Sequence, residues 1–449
     1  MLILEKKIQN QDAKVVVIGL GYVGLPLMLL TAESGYQVKG LDKSSEKVTN
    51  LKNGVSYIKG INNKRIKELA DNGSITFTEN YYEINEADVI IICVPTPLKE
   101  NMEPDVSFIS SSVKQILKFL KENTLIILES TVYPGATEEL IKREIEKNRG
   151  FSVGCDYYLC YSPERVDPGN ELFNIKNTPK VIGGATERCL EIGAMFYKEI
   201  VNMVVPVNSL ETAEMVKLFE NTFRAVNIGM VNEFAQMSSH IGINIWEVIE
   251  AADTKPFGFM PFYPGPGVGG HCIPVDPIYL LWKANKIGFN SQFIKLANEV
   301  NKDMIGFMLN EIITLLEKRN KGLINSKVML LGVAYKKDVN DYRESPAIKL
   351  FSELERIGTN VIYFDPYIKE INNQGIVVNS VELTKEIVNE CDLVVISTDH
   401  SNVDYEWITD NAQLIYDTRN VTKSTYNSEK IHVLGNNLNY SKVNKLIEV

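Results

Sequence analysis

Apolar residues in this chain come in short bursts, each cut off by glycine, proline or a small polar residue. Val15 to Ile18 in "AKVVVIGLGYVG" is the first burst. "ADVIIICVPTP", "NTLIILESTVYPG" and "YYLCYSPERVDPG" follow at the spacing of strands in a doubly wound sheet. The period then changes. "LETAEMVKLFENTFRAVNIGMVNEFAQMSSHIG" repeats as a helix, and Met215, Leu218, Phe219, Val226, Met230 and Phe234 are expected to form its buried face. Strand, loop, helix and strand return in "SKVMLLGVAYKKDVNDYRESPAIKLFSELERIGTNVIYFDP". There "CDLVVISTDH" echoes "ADVIIICVPTP" and "AQLIYDTRN" echoes "NTLIILEST". The pattern predicts an α/β protein: one parallel sheet, a long helical middle and a second, smaller parallel sheet.

Composition narrows the function. A length of 449 residues allows two or three domains, and 45% hydrophobic with 23% charged residues is ordinary for a soluble globular chain. A net charge of -10 without a lysine- or arginine-rich tract argues against nucleic-acid binding, so an anionic ligand needs a local cluster of cations. The start, "MLILEKKIQNQDAK", does not read as a signal peptide, and no apolar run reaches the roughly 18 residues of a membrane span. Six scattered cysteines point to a reducing compartment, hence a cytoplasmic location. Without a CxxC pair, and with four widely spaced histidines, no metal site is expected.

The first burst carries chemistry. Gly19, Gly21 and Gly24 follow a strand and open a helix, and Asp42 ends the next strand 18 positions after Gly24. Gly19 permits the tight turn, Gly21 lets the backbone approach a pyrophosphate, and Gly24 lets helix and strand pack closely. Asp42 would accept from ribose hydroxyls and repel a 2'-phosphate, which favours NAD over NADP. Val94, Pro95 and Thr96, Ser130 and Thr131, and Glu164 stand at carboxyl ends of strands, where such sheets bind ligands. In the second sheet's first loop, Lys336, Lys337 and Arg343 suit a second phosphorylated ligand. Lys217 and Asn221 are four apart and project from one helix face. "YPGPGVGGHCIPVDP", Tyr263 to Pro277, must be a shaped loop. Taken alone, it leaves Cys272 either a small packed residue or a reactive thiol.

These motifs together resemble the UDP-glucose/GDP-mannose dehydrogenase family, and within it the UDP-N-acetylhexosamine 6-dehydrogenases. The likeness runs from "VIGLGYVGLPL" to "YDTRN" through "VPTP", "ESTVYPG", "YSPERVDPG", "AEMVKLFENTFRAVNIGMVNE", "GPGVGGHCIPVDP" and "AYKKDVNDYRESP". The resemblance implies two Rossmann-like domains joined by a long central helix that often forms a dimer interface. Residues 1–205 would bind NAD, 206–318 would form a central helical domain with the cysteine loop, and 319–449 would bind the UDP-sugar. It implies NAD contacts from Gly19, Gly21, Tyr22, Val23, Gly24, Asp42, Lys47, Val94, Pro95, Thr96, Ser130, Thr131 and Arg343. Substrate contacts would come from Glu164, Arg165, Lys217, Asn221, Tyr263, Gly265, Gly267, Gly269, Lys336 and Arg419, the glycines giving the sugar close access.

The implied activity is a four-electron oxidation of a sugar C6 alcohol to a carboxylate in two NAD-dependent steps, and it gives Cys272 a role. A thiolate can add to the intermediate aldehyde, and the thiohemiacetal can then lose hydride to leave a thioester for water to hydrolyse. Asp276 would position water, Lys217 and Asn221 would serve the oxyanion, Thr131 would hold the water, and Glu164 would act as acid or base. UDP-glucose enzymes of the family carry an arginine from a partner subunit where Lys255 is the nearest cation here. "GGHC" and "KPFGFMPFYPGPG" are similar to members acting on N-acetylated sugars. UDP-N-acetylglucosamine is the preferred expectation, with the galacto and manno epimers and UDP-glucose as alternatives, in surface-polysaccharide synthesis. A one-step hydroxyacid dehydrogenase would need neither Cys272 nor the second sheet, and a non-enzymatic NAD sensor would leave Lys217, Asn221, Cys272 and Asp276 without purpose.

Overall fold

A computed structural model describes residues 3–58, 60–166, 172–425 and 429–436. The chain forms two compact units, residues 1–220 with 278–289, and residues 221–277 with 290–449. The end of the "YSPERVDPG" motif, from Asp167 onward, lies outside the described residues.

The first unit is built on an eight-stranded sheet: β1 (Lys14–Ile18), β2 (Gln37–Leu41), β3 (Ile75–Thr78), β4 (Val89–Ile92), β5 (Thr124–Leu128), β6 (Tyr157–Tyr161), β7 (Lys180–Gly184) and β8 (Val204–Val207). The spatial order is β3-β2-β1-β4-β5-β6-β7-β8. All neighbours run parallel except β6 and β7. β1 pairs β2 on one side and β4 on the other, so the order reverses there and opens a crevice at the carboxyl ends of β1 and β4. The apolar bursts suit this sheet because helices such as Gly24–Glu33 cover it, and β4 and β5 are buried at every residue.

The second unit holds a five-stranded parallel sheet of β9 (Lys327–Leu331), β10 (Asn360–Phe364), β13 (Leu393–Ile396), β14 (Ile415–Asp417) and β15 (Ile431–Val433). Its order is β10-β9-β13-β14-β15, and β11 (Glu370–Asn373) with β12 (Ile376–Asn379) forms a separate hairpin. The α/β class with two parallel-stranded sheets is therefore as expected.

The long helix is continuous from Leu210 to Ile241. Its buried face differs from the expected one. Leu218 is buried, but Met215, Phe219, Met230 and Phe234 are exposed, Val226 is half-buried, and Phe223, Met237 and Ile241 extend the exposed stripe. Apart from Leu210, Leu218 and Val231, its buried positions are small or polar, among them Ala213, Glu214, Lys217, Ala225, Asn232, Ala235, Ser238 and Ser239. Close helix packing explains this, since a Cβ on Gly229 would stand 3.1 Å from Cα of Ala297 in the neighbouring helix Gln292–Glu317. Periodicity identifies residues that share a face, whereas backbone approach decides which face the chain itself can bury.

Candidate active site

The glycine turn after β1 has the shape a dinucleotide needs. Gly19 has φ +92°, and a Cβ there would stand 2.5 Å from the Cys93 carbonyl oxygen. A Cβ on Gly24 would stand 1.9 Å from the Gly19 carbonyl oxygen, whereas one on Gly21 would meet nothing within 4 Å. Two glycines are thus required by the fold, and the third leaves open space beside the helix N-terminus, which fits a pyrophosphate. Tyr22 is exposed and Val23 half-buried beside it. Asp42 Oδ2 accepts from the Leu20 N–H (2.9 Å) and Oδ1 from the Ser44 N–H (3.0 Å). These bonds hold the carboxylate at the strand end with acceptor capacity left for ribose hydroxyls. Lys47 Nζ lies 3.6 Å from Asp42. The Ser130 hydroxyl donates to the Val94 carbonyl (2.8 Å) and Tyr279 donates to the Thr96 carbonyl (2.6 Å), which fixes the Val94–Pro95–Thr96 loop.

Two loops of this unit are tied to the first turns of the long helix. Glu164, after β6, lies 3.7 Å from Lys217 Nζ, and both are largely buried. Its neighbour Arg165 donates to Glu220 through Nε (3.1 Å) and Nη2 (2.5 Å), and to the Pro179 carbonyl (2.9 Å). The Arg165 fork therefore braces this loop on the helix. Glu214 accepts from the loop after β5, where Thr131 is half-buried. Beneath these loops, Glu129 forms a buried pair with Lys180 (2.8 Å) and accepts from Tyr197. Sequence reasoning missed Glu129, Lys180, Tyr197, Glu214 and Glu220; only the surplus of polar residues at buried periodic positions signals them.

In the second unit, the Cys272 carbonyl accepts from the N–H groups of Val275 (3.1 Å) and Asp276 (2.8 Å), a turn that leads into the helix Asp276–Lys286. Cys272 is half-buried, and Asp276 is 2% exposed and accepts from the Asn221 amide at 2.5 Å. Cysteine, aspartate and asparagine are thus brought together. The preceding glycines are also required by packing within this unit. A Cβ on Gly267 (φ +115°) would stand 2.6 Å from the Asn301 carbonyl oxygen, and one on Gly269 2.9 Å from Pro346 and Tyr335. A Cβ on Gly265 would stand 2.7 Å from the Arg419 guanidinium, whose Nε donates to the Ser397 carbonyl (2.8 Å). The Gly265 N–H donates to the buried Asn232, which itself donates to Asn301. Tyr263 stacks on Trp246, with ring centres 5.8 Å apart. Arg343 pairs with Asp341 and meets His271 at 3.3 Å, within this same unit. Lys255 is exposed, over the Phe257 ring.

The second sheet repeats the first turn in altered form. Gly332 has φ +83°, and a Cβ there would stand 2.5 Å from the Thr398 carbonyl oxygen, matching Gly19. Ala334 and Lys337 stand where Gly21 and Gly24 would be. Asp365, at the end of β10 as Asp42 is at the end of β2, is fully buried. It accepts from the N–H groups of Val333 (2.7 Å), Ala334 (3.0 Å), Tyr367 (2.8 Å) and Ile368 (3.0 Å). Its last partner is His400 Nε2 at 3.1 Å, while His400 Nδ1 accepts from the Asp338 N–H at 3.0 Å. Burial alone would raise the Asp365 carboxyl, but its hydrogen bonds, His400's first, hold it below the ordinary range. This carboxylate has no capacity for a ribose. Lys336 is half-buried on the loop so fixed, and Lys337 lies 3.7 Å from Asp399.

A dinucleotide turn, a second nucleotide-type sheet rich in cations at its first loop, and a cysteine-aspartate-asparagine cluster define an NAD-dependent nucleotide-sugar dehydrogenase. Three family profiles match the chain: the NAD binding domain over residues 13–201, the central domain over 211–303 and the UDP binding domain over 329–424. The chain belongs to the UDP-glucose/GDP-mannose dehydrogenase family. It is 35% identical over 416 residues to UDP-N-acetyl-D-mannosamine dehydrogenase of Pyrococcus horikoshii, covering 91% of this chain and 96% of the relative. The UDP-N-acetyl-D-glucosamine 6-dehydrogenase of Pseudomonas aeruginosa is also 35% identical, covering 80% of this chain and 84% of the relative. A solved structure described as the UDP-D-ManNAc dehydrogenase of Pyrococcus horikoshii superposes with a TM-score of 0.86 at 34% identity, covering 95% of this chain and 100% of that one. No described helix is long and apolar enough to cross a membrane.

Proposed function

We propose that the chain oxidises the C6 alcohol of a UDP-N-acetylhexosamine to the uronic acid in two steps, with Cys272 as the covalent nucleophile. The observation that carries this reading is the turn that sets Cys272 beside the buried Asp276 and its partner Asn221. NAD bound at the glycine turn would supply the hydride acceptor, one molecule for each of the two oxidations in turn. The Cys272 thiolate adds to the aldehyde carbon, and the carbonyl pair becomes an oxyanion that the Lys217 ammonium and the Asn221 amide stabilise. Loss of the second hydride leaves a thioester. Water held by Thr131 and Asp276 attacks its carbon, the C–S bond breaks, the thiolate leaves, and Glu164 takes the proton.

Relatives named for N-acetylated hexosamines support a 2-acetamido sugar. Because most of those reported are mannosamine enzymes, UDP-N-acetylmannosamine is put first, ahead of the glucosamine epimer preferred from the sequence. The loop after β9, with Lys336, Lys337 and the cysteine loop packed on it, would hold the UDP-sugar, and the acid would serve surface-polysaccharide synthesis. The exposed stripe of Met215, Phe219, Phe223, Met230 and Phe234 is assigned to a second copy of the chain in a homodimer. Counting NADH per UDP-sugar tests the chemistry. Two supports it, whereas one would indicate a simple alcohol dehydrogenase and none a binding protein. Comparing the three N-acetylated epimers with UDP-glucose ranks the substrates, and sedimentation of Phe234→Asp, expected to be monomeric, tests the dimer.

A further inference from the structure

We propose that Glu214 is a positioning residue for this reaction, a carboxylate clamp that holds the loop bearing Ser130 and Thr131 against the helical turn bearing Lys217. Glu214 is fully buried one turn before Lys217 on the long helix. Its Oε1 accepts from both the N–H (2.8 Å) and the hydroxyl (2.6 Å) of Thr137, and its Oε2 accepts from the Gly135 N–H (2.5 Å). Thr137 is itself fully buried, so the clamp joins segments 77 positions apart through three directed bonds. All three partners are donors, which favours the ionised carboxylate. Protonation adds an O–H that must be placed in the same buried pocket and weakens the acceptor.

Such a group costs stability. Burial pushes its carboxyl up to about 7, with the charge of Glu211 adding to the rise, although the bonds from Thr137 and Gly135 oppose it. Among the neighbouring ionisable groups, Tyr133 donates to Glu139 (3.0 Å), and Lys283 approaches Glu139 at 3.4 Å. A buried acid kept at the expense of stability, between two candidate catalytic elements, has the character of a functional device. The clamp should close as pH rises through about 7.

This inference rests on the roles proposed for Lys217 and Thr131. The test measures turnover, Michaelis constants and melting temperature of Glu214→Gln and Lys217→Ala from pH 5.5 to 9, with NADH formation as the readout. Glu214→Gln keeps the shape but presents an amide N–H to a donor. At pH 8 turnover should fall about 10- to 100-fold, the cost of a small misplacement. NAD affinity should fall less than turnover, because the clamp holds the loop of Ser130 and Thr131 but bonds none of Gly19, Gly21, Gly24 and Asp42. The melting temperature at pH 8 should be equal or higher, since a buried charge is gone. The rise in wild-type turnover around pH 7 should flatten. Wild-type turnover in Glu214→Gln would overturn the clamp, as would a turnover loss matched by a lower melting temperature with an unchanged pH profile, the mark of a merely structural cap. Undiminished turnover in Lys217→Ala would overturn the catalytic reading beneath it, an outcome separate from the first two.

Discussion

Cys93 and Cys160 are buried, and burial pushes both thiols well above the ordinary range, so neither offers a thiolate at neutral pH. Cys272 is half-buried at its turn, and it is the one on which the proposed chemistry depends. Cys272→Ala should abolish uronic acid formation while NAD binding and the melting temperature stay near wild type. A variant that still yields two NADH per sugar would end the covalent mechanism. Cys272→Ser keeps an oxygen nucleophile of much higher pKa, so it should turn over very slowly and show an ester as added mass. At the other nucleotide, Asp42→Ala should weaken NAD use and narrow its preference over NADP, because Lys47, 3.6 Å from that carboxylate, is then left to meet a 2'-phosphate. Steady-state kinetics with both cofactors decides this, and an unchanged ratio would remove Asp42 from cofactor selection. The turns that carry both residues are legible in the sequence because their motifs fix a local backbone shape. Glu129, Lys180 and Glu214 are not, because their partners lie far away in the chain and only the folded sheet brings them together.

Among the elements, the turn after β9 shows how a pattern can be half read. Gly332 and Asp365 keep the frame of Gly19 and Asp42, and the repeat ending in Asp365 is legible without the second and third glycines, but not that Asp365 is taken up by its own turn. The long helix was recognised from its period, but its buried face was not, since small residues such as Gly229 and Ala225 give a weak hydrophobic signal where backbones come closest. His400 is the fully buried strut of the second turn, donating to Asp365 and accepting from Asp338. His400→Phe removes the side-chain donor to Asp365, which keeps its four backbone donors, and takes the acceptor from the Asp338 N–H. The second unit should therefore lose on the order of 2–3 kcal/mol. The loop bearing Lys336 should also loosen, raising the Michaelis constant for the UDP-sugar while that for NAD is unchanged. Chemical denaturation and two-substrate kinetics check the pair of effects, and an equal rise in both constants would contradict this placement.

Across the whole molecule, two buried groups, one in each unit, contribute to stability with opposite pH dependence. Burial pulls His432, in β15 of the second unit, down to about 4, with Lys318 and Arg319 adding to the effect. The unfolded state therefore binds more protons than the folded one between about 6.5 and 4, and the second unit loses stability as pH falls through that window. Glu214 in the first unit is raised to about 7, so there the folded state binds more protons, and stability falls as pH rises from about 4.5 to 7. Calorimetry at pH 5 should show the second unit melting earlier than it does at pH 7, and His432→Gln should remove much of that shift, on the order of 2 kcal/mol. An identical pH dependence in the variant would assign the acid sensitivity elsewhere.

The filled carboxylate of Asp365 bears on a sorting problem that any protein with two nucleotide clefts must solve. A soluble dinucleotide is abundant, and a second cleft with a free acid at its strand end would be exposed to cross-occupancy by it. Here His400 and four backbone N–H groups have taken that acid, and Lys337 stands where close helix packing would need a glycine. The cofactor consequently cannot act as its own competitor for the sugar nucleotide: velocity against NAD should remain hyperbolic to saturation at every UDP-sugar concentration, with no falling arm at excess.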